Sequence, residues 1–162
     1  MDINLEVVEI SPYENINIIL GQAHFIKTVE DIYEAIIGSV PGIKIAVSFC
    51  ESSGKCLIRS EANDEELKKY SIEIAERIGA GHCFVLLIKG AFPINCMQNL
   101  KNVSEVCNIY CASANPIQVV IARTSQGRGV MGVIDGFSPK GTEKEEDIKW
   151  RKSFLRSIGY KL

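Results

Sequence analysis

Short apolar runs separated by turn residues predict that β-strands make up much of this chain. The run at residues 83–88 is apolar at every position, so we expect its strand to lie at the centre of a sheet. The predicted strands cover residues 5–10, 16–20, 43–49, 56–59, 83–88, 106–111, 117–124 and 130–134.

Apolar residues at every third or fourth position predict helices between several of these strands. Thr28 is expected to cap the first helix and Asn63 the second, because short polar side chains accept hydrogen bonds from the first helical turn. Pro93 is expected to begin a short helix. Acidic residues begin the last helix and basic residues end it, as the helix dipole favours. The predicted helices cover residues 28–38, 63–78, 93–102 and 143–158.

The order of these elements favours layers of helices against a sheet. We therefore predict a single α/β domain over residues 1–162, with a mixed β-sheet flanked by helices. An apolar content of 46% and a charged content of 23% are typical of a globular protein with one core.

Charge and composition limit the classes of partner. The net charge of -2 argues against nucleic-acid binding, which needs a basic excess to neutralise phosphates. Residues 1–10 lack the basic and apolar regions of a signal peptide, and no apolar run approaches the ~20 residues of a membrane span. We expect a cytoplasmic protein with no membrane partner. The six cysteines form no C-x-x-C pair, so we expect them to be reduced and buried, with no metal site.

His24, one of only two histidines, lies where a predicted strand gives way to a helix. Ligands of open α/β sheets bind at such strand ends. A histidine there can act as acid, base, nucleophile or phosphoryl acceptor, or it can simply bond to nearby backbone. His82 precedes its strand, so it would lie at the opposite end of the sheet from His24 if the two strands ran parallel. We interpret His82 as structural.

Residues 127–132 match the pattern G-x-G-x-x-G, but a dinucleotide-binding loop opens a helix, and here a β-rich segment follows. We expect instead a hairpin whose glycines adopt positive φ and whose tip displays Arg128. Its N–H groups would form an anion nest, with Arg128 either binding phosphate or only solvated. Residues 53–55 lack the rest of a Walker A loop, so no P-loop is predicted.

Two asparagines adjoin predicted strands. Asn95 and Asn115 carry amides that can both donate to and accept from adenine, although Asn is equally common as a turn former. Phe25 and Phe92 occupy comparable loop positions, where each could stack on a base or pack into the core.

An ordered set of short motifs covers nearly the whole chain and closely resembles the family called adenosine-specific kinase. These motifs are residues 21–28 (GQAHFIKT), 80–82 (AGH), 92–95 (FPIN), 112–116 (ASANP), 127–129 (GRG), 132–136 (GVIDG), 151–152 (RK) and 158–160 (IGY). The resemblance implies an α/β fold, binding of adenosine and AMP, a histidine that carries phosphate, and a small homo-oligomer, with a trimer favoured. It leads us to expect Thr at position 113, where this chain has Ser113.

Two hypotheses of different classes follow. In the first, the protein is an enzyme that acts on adenosine or AMP, with His24 as phosphoryl acceptor or base and ATP or another phosphate donor as co-substrate. Arg128 and the turn N–H groups would hold phosphate, and Asp135 would accept from the ribose hydroxyls. The other predicted substrate-binding residues are Gln22, Phe25, Asn95 and Asn115. In the second hypothesis, the protein is a non-catalytic adenosine or AMP sensor that acts through a homo-oligomer, which the missing P-loop favours.

Overall fold

A computed structural model describes residues 2–162, which form eight strands and four helices. The strands are β1 (Asn4–Ile10), β2 (Ile16–Ala23), β3 (Lys44–Cys50), β4 (Ile58–Ala62), β5 (Cys83–Lys89), β6 (Val106–Ser113), β7 (Ile117–Arg123) and β8 (Arg128–Asp135). The helices are α1 (Thr28–Ile37), α2 (Glu65–Ile78), α3 (Pro93–Lys101) and α4 (Glu145–Ser157).

The strands form two sheets, one with the order β4-β3-β5-β2-β6 and one with the order β1-β7-β8. The predicted single α/β domain is confirmed. The strand pairing differs from the mixed sheet that we expected, because neighbouring strands within residues 2–162 pair antiparallel. The helix α1 does join two strands of the same direction, β2 and β3. However, β5 lies between these two strands and runs against both of them.

Two buried apolar clusters cover the two faces of the five-stranded sheet. On one face, α1 and α3 pack through residues such as Ile32, Ile36 and Leu100. On the other face, α2 and the three-stranded sheet pack through residues such as Ile74 and Val119. The strand β5 lies third of five, and all its residues before Lys89 are buried, which confirms its predicted central position.

Both predicted helix caps are wrong. Thr28 is the first residue of α1, and its hydroxyl donates backwards to the carbonyl of Phe25 at 2.7 Å. Asn63 instead joins β4 to β3, since its side-chain oxygen accepts from the N–H of Ile45 at 2.8 Å. The cap of α2 is Asp64, whose carboxylate accepts from two N–H groups of the first turn. Asn and Asp are about equally favoured as helix caps, so residue type alone does not distinguish Asn63 from Asp64.

The helix α4 has no buried residue, so it takes no part in the core. Its aromatic pair, Trp150 and Phe154, stacks with ring centroids 5.3 Å apart and yet is 66% and 45% exposed. The large apolar side chains of Leu5, Val7 and Met131, on the two outer strands of the three-stranded sheet, are also exposed. None of the helices in residues 2–162 is both long enough and apolar enough to span a membrane.

Candidate functional site

A short loop that begins at His24 joins β2 to α1, and the imidazole of His24 is exposed. The N–H of His24 donates to the carbonyl of Glu105 at 2.9 Å, which extends the pairing of β2 one residue beyond the strand. At the other side of the loop, the Thr28 hydroxyl donates to the carbonyls of His24 (3.2 Å) and Phe25 (2.7 Å). These bonds fix the main chain of His24 and leave its ring accessible.

Phe25 has a φ of +90°, and its ring is 58% exposed. A bulky residue in this region of φ is an outlier, and such strain persists where the surrounding structure requires one conformation. The exposed ring beside His24 agrees with the predicted stacking role, which stays a prediction.

Gly21 and Gln22 belong to β2 rather than to the loop, because β2 continues to Ala23. A Cβ at position 21 would lie 2.4 Å from the ring of Phe84 and 2.5 Å from the carbonyl of Asn108. Glycine therefore lets β6 and the core approach the strand that ends at His24. The exposed Gln22 accepts a hydrogen bond from the Tyr110 hydroxyl at 3.3 Å.

A lysine lies between two carboxylates in the same loop. The Lys27 ammonium forms ion pairs with Asp31 and Glu105. Hydrogen bonds to Asp31 and Glu105 raise the pKa of Lys27 above its ordinary value, so the side chain is charged at neutral pH. Glu105 is only 3% exposed, and its second oxygen, Oε2, has no hydrogen-bond partner. Glu105 thus holds the main chain of His24 through its carbonyl and the side chain of Lys27 through its carboxylate.

The position that we expected for His82 requires correction. Because β2 and β5 are antiparallel, His82 lies at the same edge of the sheet as His24. The carbonyl of His82 accepts from Ala23 at 3.0 Å, and its N–H donates to Cys50 at 2.7 Å. With a φ of +64° and its ring stacked on Phe49, His82 joins the ends of β2 and β3. These contacts support the structural role that we expected.

We expected Arg128 at the tip of the hairpin, but this expectation is wrong. Arg128 is the first residue of β8 and pairs with Arg123. It lines an open cavity of about 880 Å³ between the β3–β4 loop, the end of α2 and the β7–β8 hairpin. Its guanidinium donates to Glu6 at 2.7 Å, and its buried Nε has no partner. Gly127 and Gly129 do not have positive φ, so the backbone conformation that we expected for these glycines is wrong. The anion nest of the turn N–H groups stays a prediction.

Three polar residues form a cluster where β6 and β8 end. The Ser113 hydroxyl donates to Asp135 at 2.5 Å, and the Asn115 amide nitrogen approaches the same carboxylate oxygen at 3.4 Å. The N–H of Asn115 donates to the Ser113 hydroxyl at 2.9 Å. Gly136 follows with a φ of +63°, and a Cβ there would lie 3.0 Å from the Asn115 amide. Close packing therefore fixes both predicted residues, Asn115 and Asp135, in one unit.

Asn95 lies in the first turn of α3, directly after β5, and its side chain is exposed. Its oxygen accepts from the N–H of Phe92 at 2.9 Å, and its amide nitrogen lies 3.5 Å from the Tyr160 hydroxyl. Beside it is a cavity of about 500 Å³ whose lining also includes Asn17 and Lys89.

The structure thus divides the predicted site between two opposite sides of the five-stranded sheet, each made of strand ends and not of an outer strand. We call these two sides the histidine edge and the amide edge. The histidine edge carries His24 and Phe25, with Gln22 near the end of β2. Arg128 is beside the neighbouring cavity. The amide edge carries the other three predicted residues, Asn95, Asn115 and Asp135. Ser113 pairs with Ile18 on β2, so the two edges are about 20 Å apart at about 3.3 Å per residue.

Sequence analysis missed Glu6, Lys27 and Glu105. Lys27 lies in the same motif as His24, three residues along, and this spacing was the one signal that could have found it. Glu6 and Glu105 meet their partners only through the tertiary fold, and Glu6 is separated from Arg128 by 122 positions.

The cysteines offer no reactive thiolate in the core. Cys50 lines the cavity beside Arg128, and burial raises the pKa of its thiol to about 11. Burial also raises the pKa of the Cys83 thiol. All six cysteines are free, but Cys56 and Cys107 are exposed, contrary to the expectation that all were buried. Residues 2–162 contain no cluster of side chains suited to hold a metal ion.

Comparisons with known proteins assign this architecture to a family. The family model described as "Adenosine specific kinase" matches residues 8–161. A crystal structure of the PH1918 protein from Pyrococcus horikoshii OT3 is similar, with a TM-score of 0.95 and 41% sequence identity over 99% of each chain. No curated protein matches the chain. The resemblance inferred from the short motifs is confirmed, and this chain belongs to the adenosine-specific kinase family.

Proposed function

We propose that this protein binds adenosine and AMP and that His24 takes part in phosphoryl transfer between a phosphate donor and adenosine. The observation that carries this proposal is the exposed imidazole of His24 on a main chain fixed by Glu105 and Thr28, in the same loop as the charged Lys27. The family description supports adenosine as the substrate.

The reaction can be written in two balanced steps with ATP as the donor. An imidazole nitrogen of His24 attacks the γ-phosphorus, the bond to the bridging oxygen breaks, and ADP leaves. The 5′-hydroxyl oxygen of adenosine then attacks that phosphorus, the N–P bond breaks, and its electron pair returns to the ring. The hydroxyl proton passes to solvent, and the product is AMP. In the alternative, His24 is the base that takes this proton during direct transfer, and no phosphohistidine forms.

The amide edge supplies the groups that would recognise the nucleoside. Asp135 accepts from neighbouring donors and would accept equally from ribose hydroxyls, while the Asn115 and Asn95 amides would read the base. These residues lie about 20 Å from His24 by strand spacing, too far for one nucleoside to touch both edges of one chain. The site would therefore be completed by a second copy of the chain.

The helix α4 supports assembly of several copies. A helix with an exposed aromatic pair and no buried residue needs an apolar partner surface. The sheet β1-β7-β8 exposes such a surface through Leu5, Val7 and Met131. We propose a homo-oligomer, with a trimer favoured, in which α4 of one copy covers this sheet of another.

The second candidate function is a non-catalytic sensor of adenosine or AMP. The pairing of Arg128 with Glu6 favours it, because a ligand phosphate that takes Arg128 would release Glu6 and so alter the contact between β8 and β1. The chain also lacks a P-loop to hold ATP.

Labelling with γ-labelled ATP distinguishes the two functions. We expect acid-labile label on the wild-type protein, transfer of that label to AMP when adenosine is added, and neither signal from His24→Ala. Adenosine and AMP affinities measured by calorimetry provide the control for intact binding. Binding without label or AMP formation, accompanied by a ligand-dependent change in mass by light scattering, would contradict the kinase and support the sensor.

A further inference from the structure

We infer that Lys27 is the cation that binds the phosphoryl group carried by His24, and that Glu105 is the positioning residue that holds Lys27 beside it. This inference rests on the proposed function and assigns the phosphate contact at His24 to a residue other than Arg128.

Glu105 connects the two partners through separate groups. Its carbonyl accepts the N–H of His24 at 2.9 Å, and its carboxylate pairs with the ammonium of Lys27. A movement of either partner relative to the other therefore breaks a contact with the same residue. Preorganised charge of this kind is what stabilises a phosphoryl group during transfer, because no reorganisation is needed at the moment of reaction.

The two carboxylates around Lys27 differ in burial, and this difference assigns their roles. The Glu105 side chain is 4% exposed, and its unpartnered Oε2 makes the buried carboxylate depend on Lys27 for neutralisation. The Asp31 side chain is 32% exposed, and exposed ion pairs within one helix turn contribute little. A phosphoryl oxygen can therefore take the place of Asp31 while Glu105 keeps Lys27 in position.

Accessibility also favours Lys27 over Arg128. The Lys27 side chain is 48% exposed, in the loop that carries the exposed His24. The Arg128 side chain is 25% exposed, is bound to Glu6, and lies against Gly79 at the end of α2. Arg128 is thus placed to serve the neighbouring cavity, where it would meet other phosphates of a nucleotide.

The test uses phosphoramidate, a small donor that labels histidine without ATP. The His24 nitrogen attacks phosphorus, the P–N bond of the donor breaks, and ammonia leaves. We expect the labelling rate of His24 to fall about ten- to a hundredfold in Lys27→Met, as loss of a charge-assisted hydrogen bond in the transition state predicts. Lys27→Arg should restore most of the rate, and Asp31→Asn should not lower it.

Two further variants separate positioning from stability. Lys27→Met alone leaves the Glu105 charge buried and unpaired, whereas the double variant Lys27→Met with Glu105→Gln removes that charge and should fold. We expect the double variant to melt near the wild type and still to label about ten- to a hundredfold more slowly. The exposed Lys69 of α2, which forms no ion pair among residues 2–162, provides the control variant Lys69→Met with an unchanged rate.

A folded double variant that labels at the wild-type rate would overturn the inference and leave Lys27 a purely structural partner of Glu105. Failure of ATP both to label His24 and to form AMP from adenosine, while phosphoramidate labelling still depends on Lys27, would overturn the kinase proposal alone. The two failures are therefore distinguishable.

Discussion

The two edges of the five-stranded sheet hold their polar groups by different means. At the histidine edge, ion pairs and main-chain bonds fix a loop, and the ring of His24 is left exposed to solvent. At the amide edge, hydroxyl, amide and carboxylate groups of Ser113, Asn115 and Asp135 bond to one another. The first arrangement suits the handling of charge, and the second suits the reading of neutral hydroxyl and amide groups. Their separation is the reason for proposing that one chain carries two half-sites.

The largest expected effect is a difference between the two histidines of the histidine edge: one substitution should remove labelling, and the other should lower stability. His24→Ala should abolish labelling by ATP while the free energy of unfolding stays within about 0.5 kcal/mol of the wild type, as for an exposed residue. His82→Ala should keep labelling and lose about 1 kcal/mol of stability with the ring stack on Phe49. Urea denaturation and label incorporation measure both quantities.

His82→Gly provides the control for the backbone. It loses the same ring stack but relieves the φ of +64°, so its stability should exceed that of His82→Ala. Equal losses in the two variants would mean that the strained backbone of His82 carries no cost. Unfolding of His24→Ala would show that the histidine edge depends on the ring itself.

The amide edge should respond in binding rather than in labelling. Asp135→Ala removes the acceptor shared by Ser113 and Asn115, and we expect adenosine affinity to fall about ten- to a hundredfold. Phosphoramidate labelling of His24 should be unchanged. Ser113→Thr keeps the hydroxyl and should bind adenosine as the wild type does. Calorimetric titration decides, and unchanged affinity in Asp135→Ala would remove the amide edge from the site.

A mixing experiment tests whether the two half-sites meet between copies. At an adenosine concentration far below the weakened affinity of Asp135→Ala, that variant and His24→Ala should each form little or no AMP. In an oligomer assembled from equal amounts, however, one copy can supply His24 and its neighbour Asp135. About a quarter of the sites would then be intact, so about a quarter of the wild-type AMP formation should return. Absence of any recovery in a proven mixed oligomer would place both half-sites of each active centre on one chain.

The smallest expected effect concerns Arg128 in the cavity next to the histidine edge. Glu6→Gln weakens the ion pair that occupies Arg128, and AMP affinity should rise by up to about fivefold, the range of a partly exposed pair. Adenosine has no phosphate, so its affinity should not change. Parallel titrations of both ligands check this, and an equal gain for both would show that Glu6 acts through the shape of β1 and not through Arg128.

Much of the fold was predictable because it depends on local patterns. The fully apolar run at 83–88 identified the central strand β5 (Cys83–Lys89), and the helical spacing after Asn63 identified α2. The direction of strand pairing was not predictable, since β5 enters between β2 and β3 only through contacts distant in sequence. Because β5 is antiparallel to β2, His82 lies at the same edge as His24 and not at the opposite one.

For the candidate site, the positions of residues along the chain were predictable, but their partners in the tertiary structure were not. The short motifs located His24, Asn115 and Asp135 at element ends, where the structure places them. They could not show that a buried carboxylate at Glu105 would hold Lys27, because nothing in the local sequence separates that glutamate from a solvated one. They also could not show that Glu6 would occupy Arg128.

The stability of helix α4, which has no buried residue, should depend on protein concentration. Thirteen residues without a buried side chain form only a marginal helix in water, because nucleation is costly and few hydrogen bonds follow it. If neighbouring copies supply the missing contacts, dilution would fray this segment and open it to proteases, while the two-sheet body would stay folded. The rate at which a protease cuts near Trp150 would then report how many copies are assembled.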